Sequence, residues 1–382
     1  MLNQKLTAAS RPGKSKPRVA VLFGGRSSEH AVSCVTAAGV LGAINKDKYE
    51  VIPIGIAKSG QWVLVAADTE QWSLSSSSLP EVPPSSCTVA LAEIGGEHQL
   101  IVASPNQVPK ELGTVDVVFP LLHGPFGEDG TIQGLLELSD TRYVGAGVLA
   151  SAVGMDKHYM KVVFESAGLQ VGPYVAVTDR QWLNNPESVR KQVDLLGFPV
   201  FVKPARAGSS MGISKVDSLD GLDAAIEAAR EHDLKLVIEA GIVGREIECA
   251  VLEGRGTDAP RTSMPGEISV AAGEHEFYDF NAKYVEDDAA ALSCPADIPD
   301  EAIARVRELA AVAFDAVGAE GLSRVDFFYT PDGELIINEI NTMPGFTPKS
   351  MYPQMWAASG LDYAELIDEL IHLALNRKTG LR

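Results

Sequence analysis

The stretch SRVDFFYTPDGELIINEIN, residues 323–341, decides how the rest of the chain is read. Two runs rich in β-branched and aromatic residues flank Pro331-Asp332-Gly333, a turn sequence, so the segment predicts a β-hairpin. Side chains alternate across a strand. Arg324 and Asp326 therefore share one face of the first arm, and Glu339 and Asn341 share one face of the second. Two carboxylates and an amide oxygen converging across a hairpin make a hard-oxygen site. With phosphate oxygens added, Mg2+ is its natural occupant. Two solvent-facing acids on an amphipathic hairpin are the plainer alternative. The apolar neighbours, and the glycine- and proline-controlled loop MPGFTPKS that follows at 343–350, argue for the site.

A second chemical signal lies upstream, in KPARAGSSMGISKV at 203–216, directly after the strand-like FPVFV. Small residues at Gly208, Ser209, Ser210 and Gly212 let backbone N–H groups approach phosphate oxygens, and Lys203 at the strand end supplies a fixed positive charge. The competing reading is a hairpin turn that merely needs glycine. No G-x-x-x-x-G-K-[ST] occurs. GAGVLA at 145–150 has the G-x-G-x-x-A form, but the nearest suitably placed acid, Asp179, comes too late for a dinucleotide site.

Around these signals the chain is organised as an α/β (α+β) protein. RVAVLFGG at 18–25, a helix from Ser28 to about Ala43 capped by Ser27 or Ser28, the strands VIPIGIA and QWVLVA, and the apolar run VDVVFPLLHG at 115–124 indicate an open parallel sheet to about residue 150. SLSSSSLPEVPPSS at 73–86 reads as a surface loop or insertion. A helix over about 150–167 and the strands PYVAV, FPVFVKPA and LKLVIEA form a middle segment. EIECAVLE, SMPGEISV, the hairpin and a closing helix AELIDELIHLAL fill the last third. The expected division is a disordered leader at 1–17, then units at 18–150, 151–240 and 241–382.

The 382 residues carry 32 basic against 51 acidic side chains, a net charge of −19, which argues against nucleic acid as the main partner. No run approaches the length of a membrane helix. Four widely spaced cysteines, Cys34, Cys87, Cys249 and Cys294, fit neither a disulfide framework nor a zinc site and read as reduced, mostly buried thiols of a cytoplasmic protein.

Seven motifs occur in order: GGRSSEHAVS, LHGPFGEDG, MDK, VKPARAGSSMG, FYDFNAKY, SRVDFF and NEINTMPGFTPKS. Together they closely resemble D-alanine-D-alanine ligases of the ATP-grasp superfamily, from Arg18 to the final helix. The resemblance implies a three-domain fold in which an N-terminal open sheet is followed by two domains that sandwich ATP. It implies ligation of two D-alanines through a D-alanyl phosphate and a tetrahedral intermediate, for bacterial peptidoglycan, by a homodimer. A relative using D-serine or D-lactate as second substrate would keep every nucleotide residue.

By motif, Lys157, Lys203 and Lys283 resemble phosphate-binding lysines, and Ser210 sits in the phosphate loop. Glu239 resembles the residue beside the adenine, and Glu246 the residue on the ribose. Asp326, Glu339 and Asn341 resemble the ligands of two Mg2+ ions, for which Mn2+ can substitute. Glu29 matches the partner of the first D-alanine's ammonium, although a carboxylate in the first turn of a helix is also simply favourable there. His123 matches a histidine near the same substrate. Ser209 and Tyr284 match the residues that bond with Glu29 and close a lid over about 277–295. Tyr284 favours an amine nucleophile over a hydroxy acid. Ser350 and the backbone of Met351 match the second carboxylate's site, and Arg324 with the N–H of Gly345 matches the oxyanion donors.

Overall fold

The structure is a computed structural model that describes residues 16–66, 72, 79–94, 97–270 and 290–380. The first seven strands are β1 (Arg18–Gly24), β2 (Glu50–Ile56), β3 (Trp62–Leu64), β4 (Thr88–Ile94), β5 (Glu97–Ala103), β6 (Lys110–Thr114) and β7 (Val117–Pro120). β1 pairs in parallel with β2 and β7, and β3 is added antiparallel at the edge, giving the order β3-β2-β1-β7. Continuous apolar sequence in β1 and β7 is what a parallel strand covered on both faces requires. Helix His30–Ala43 packs on this sheet, turned into place by Gly24 and Gly25, whose φ values of +91° and +97° suit residues without a Cβ.

Three details of this N-terminal part depart from the sequence reading. The helix cap is Glu29, which makes no side-chain capping bond. Ser27 instead turns its hydroxyl across to the carbonyl of His123 (2.7 Å). Residues 88–114 form a separate antiparallel sheet, β4-β5-β6, that the alternating α/β pattern did not announce. The described part of the Ser/Pro-rich stretch is not all surface. Val82 is fully buried against Gly24 and Gly55, and its N–H donates to Nε2 of His30 (3.0 Å).

The middle of the chain builds a four-stranded antiparallel sheet, β10-β9-β11-β8, from β8 (Tyr174–Thr178), β9 (Val200–Pro204), β10 (Ser214–Val216) and β11 (Lys235–Ala240). The helix expected over 150–167 is two helices, Val148–Met155 and Lys157–Ser166. They break at Asp156, whose carboxylate accepts the N–H groups of His158 and Tyr159 and is held by Lys235 Nζ at 2.7 Å.

The last sheet runs β15-β14-β12-β16-β17, with β13 paired to β12. Its strands are β12 (Arg245–Leu252), β13 (Arg261–Thr262), β14 (Gly266–Val270), β15 (Ala290–Ser293), β16 (Leu322–Tyr329) and β17 (Leu335–Asn341). β16 and β17 are the expected hairpin. Helix Tyr363–Asn376 returns to the first sheet, where Leu366, Leu370 and Ile371 join Val19, Phe119 and Leu41 in one apolar core. That return stretches residues 342–350 between the hairpin and the N-terminal sheet.

Candidate active site

Three clusters carry charge toward the same space. On β9 and β11, Lys203 and Glu239 share one sheet face, and Lys203 Nζ lies 2.8 Å from Glu239 Oε2. Lys161, almost fully buried on helix Lys157–Ser166, reaches the other oxygen at 3.3 Å. Burial alone would raise the Glu239 carboxyl, but the two ammonium groups outweigh it and hold the pKa down to about 2. Glu339 and Glu246 also act on Lys203, so these cations sit opposite the carboxylates of the last sheet. Lys157 begins the same helix as Lys161 and donates to the carbonyl of Ala207 (2.8 Å).

Between β9 and β10 the glycine-rich loop is a hairpin turn and a candidate anion cradle at once. Ser209, Ser210 and Gly212 all have positive φ, at 48°, 57° and 72°. Two serines held in the left-handed region are uncommon, and such strain gathers at functional sites.

The second cluster surrounds Glu29. Ser209 donates its hydroxyl to Glu29 Oε1, tying the glycine-rich loop to the N-terminal sheet across 180 residues of chain. A Cβ on Gly124 would collide with this carboxylate, and one on Gly208 would stand 3.0 Å from Oε2, so both positions need a bare backbone. His123 is buried beside it, with Nε2 3.2 Å from Thr36 Oγ1 and Nδ1 3.1 Å from the carbonyl of Met343. Burial pushes the imidazole pKa down, against the pull of Glu29, which keeps His123 neutral at physiological pH.

The third cluster is the hairpin. Arg324 faces Asn341 and Asp326 faces Glu339 across it, so the register places all four side chains on one face. A bulge follows Asp326, resetting the pairing to Phe327 and Ile337. Arg324 grips Asp326 with two parallel bonds (Nε to Oδ1 2.7 Å, Nη2 to Oδ2 2.6 Å), and Asn341 Nδ2 donates to Asp326 Oδ2 (3.0 Å). Two carboxylates and an amide are a donor set that suits Mg2+ completed by phosphate oxygens.

The loop after β17 is clamped from several sides. The N–H of Met343 donates to Glu128 Oε1 (3.3 Å), and Tyr363 donates its hydroxyl to the carbonyl of Phe346 (2.7 Å). Gly345 is half-buried in this loop. Ser350 caps helix Met351–Ala358 and shares its hydroxyl with Thr347 Oγ1 at 2.8 Å, while Met351 is buried.

The structure thus brings together Glu29 with Ser209 and His123, Lys203 with Glu239, and Arg324 with Asp326, Glu339 and Asn341. Glu246 is exposed on β12 beside the hairpin. Gly345 and Ser350 lie in the loop that joins these clusters, and Met351 begins the helix that follows it. Lys283, Tyr284 and most of the expected lid fall outside the described residues.

Sequence reasoning passed over Lys161, Glu128, Glu248 and Tyr363. Two of them left a signal. Lys161 lies one helical turn from Lys157 between the apolar residues Met160 and Phe164, and Glu248 alternates with Glu246 on β12.

Two opposed antiparallel sheets with a paired lysine on one and an Arg-Asp-Glu-Asn face on the other define an ATP-grasp enzyme. Profiles described as D-ala D-ala ligase N-terminus and C-terminus match residues 18–146 and 163–372, and the chain belongs to the D-alanine–D-alanine ligase family. It is 88% identical over all 382 residues to the D-alanine--D-alanine ligase of Arthrobacter sp. (strain FB24), covering 100% of both chains. It is 58% identical to that of Kocuria rhizophila, with 96% of each chain covered. Among solved structures, the VanG D-Ala:D-Ser ligase from Enterococcus faecalis superposes with a TM-score of 0.80 at 38% identity, over 94% of this chain and 100% of the other. The D-alanine-D-alanine ligase from Coxiella burnetii gives 0.77 at 33% identity, over 95% of each.

Proposed function

We propose that this chain joins two D-alanines with ATP, releasing ADP and phosphate and supplying the dipeptide for peptidoglycan. One observation carries the reading: Ser209 of the glycine-rich loop bonds Glu29, and Met343, two residues beyond Asn341 of the hairpin, bonds both His123 and Glu128, so the glycine-rich loop, the hairpin and the amino-acid end share one space.

A carboxylate is a poor electrophile, so the first D-alanine is activated as an acyl phosphate by the ATP γ-phosphoryl group. Lys157, Lys203 and Lys283 receive the phosphates, Glu239 lies beside the adenine, and Glu246 holds the ribose. The backbone at Ser209 and Ser210 closes over the phosphate chain. Mg2+, two ions held by Asp326, Glu339 and Asn341, would supply charge neutralisation on the phosphates. Glu29 binds the first substrate's ammonium, oriented by Ser209 and by Tyr284 from the lid, with His123 beside it. Ser350 and the N–H of Met351 receive the second carboxylate at a helix N-terminus. The second amine attacks the acyl carbon, and Arg324 with the N–H of Gly345 stabilises the oxyanion.

In this reading residues 18–150, 151–240 and 241–382 are the substrate, central and metal-bearing units of a cytoplasmic homodimer. Among the described residues, no helix is long and apolar enough to cross a membrane. No observation favours D-serine or D-lactate over D-alanine as second substrate. The test is Glu29→Gln: losing one partner of a buried charge pair should raise the KM for the first D-alanine by about 30-fold or more and leave the KM for ATP unchanged. An unchanged D-alanine KM would remove Glu29 from the substrate site.

A further inference from the structure

Arg324 has two carboxylates within reach, and the assigned chemistry accounts for only one. Glu248, on β12, stands directly opposite Asp326 in the β12–β16 register. It is only 4% exposed, and its Oε1 lies 3.0 Å from Arg324 Nε, the same nitrogen that donates to Asp326 at 2.7 Å. A second buried carboxylate beside one guanidinium is costly unless it has a use. The fork between Arg324 and Asp326 occupies both Asp326 oxygens, which are also the oxygens a metal ion would need.

We propose that Glu248 is a positioning residue that keeps Arg324 in place when Asp326 turns from the arginine to Mg2+. The inference rests on the metal assignment above and goes beyond it. Arginine and metal compete for Asp326. Glu248 already touches Nε, so the guanidinium retains an anionic partner when the fork opens and stays aimed at the site of the developing oxyanion. Without Glu248, Asp326 is the nearest carboxylate left to Arg324, and metal binding has to break that pair outright. No covalent change is involved, only the exchange of one carboxylate for another at Nε.

The test is Mn2+ binding in the presence of ADP, followed by the loss of the free-ion electron paramagnetic resonance signal, in wild type, Glu248→Gln, Arg324→Met and the double variant. Removing a charge-assisted hydrogen bond predicts Mn2+ affinity about 10-fold weaker in Glu248→Gln. In the Arg324→Met background the same change should alter affinity less than about 2-fold, because the competitor is gone. An equal loss in both backgrounds would mean that Glu248 acts on the metal directly through its charge, and would overturn the proposal. So would unaltered affinity in Glu248→Gln. Should that variant fail to fold, Glu248→Asp, which keeps the charge but withdraws it from Nε, is read in the same way. Wild-type protein that binds no Mn2+ with ADP would instead sink the metal assignment itself.

Discussion

Glu128 shows how much one side chain can join. Its two oxygens accept the N–H groups of Gly124 (2.6 Å) and Met343 (3.3 Å), tying the turn that holds His123 to the loop that carries Gly345. Burial, and then the charge of Glu29, push its carboxyl pKa up to about 8. The folded protein therefore holds a proton there that the unfolded chain gives up near pH 4.5. A raised folded pKa makes stability fall as pH rises between those values, by up to 1.4 kcal/mol per pH unit from this one group. Glu128→Gln imitates the protonated form. Its thermal midpoint should lose part of the wild type's decline between pH 5 and 8, a comparison that scanning calorimetry makes directly. Parallel profiles for the two proteins would remove Glu128 from the titration. The sequence displayed this residue inside HGPFGEDG but could not mark it, because its role depends on a backbone N–H 215 positions away.

At the scale of elements, the loop at 342–350 is positioned by what surrounds it. Phe346 is fully buried among Phe119, Tyr352 and Tyr363 (ring centroids 6.1, 5.7 and 5.6 Å), and the Tyr363 hydroxyl holds its carbonyl. Tyr363→Phe keeps the packing and removes that bond, so it should cost about 0.5–1.5 kcal/mol of stability. It should also lower kcat more than either KM, since the neighbouring Gly345 N–H loses its fixed position. A kcat equal to wild type would show that the aromatic cluster alone sets the loop. The hairpin was legible element by element, because period-two alternation around Pro-Asp-Gly places four polar side chains on one face without any tertiary information. The antiparallel sheet at 88–114 was not, since its three strands lie between elements of a parallel pattern and, among the described residues, pair only with one another. The break at Asp156 was hidden too, because an uninterrupted helical run gives no hint that Lys235 grips the aspartate that caps the second helix.

At the scale of the whole molecule, the chain closes on itself: helix Tyr363–Asn376 packs against the first sheet, and Ser209 from the middle sheet bonds Glu29. Fold class and the hairpin with Arg324, Asp326, Glu339 and Asn341 on one face could be read from local pattern. The convergence of the glycine-rich loop, the hairpin and the N-terminal sheet could not, because it arises from contacts between residues far apart in sequence. Leu135 and Leu138 on helix Thr131–Leu138, with Val148 and Leu149 on its neighbour, remain exposed, Leu138 at 90%. The proposed homodimer would bury these side chains at its interface. Sedimentation should then show dimers for the wild type and monomers for Leu138→Glu with Leu149→Glu. A dimer that survives both changes would place the interface elsewhere.

Ligation of D-alanine to D-alanine is the reaction assigned to this shared space. Its most direct test supplies Mg-ATP with equimolar D-alanine, D-serine and D-lactate and identifies the products by mass. The dipeptide of two D-alanines, formed in step with ADP and also from D-alanine alone, is the expected result. A mixed product in excess, or ADP release only when D-serine or D-lactate is present, would contradict it.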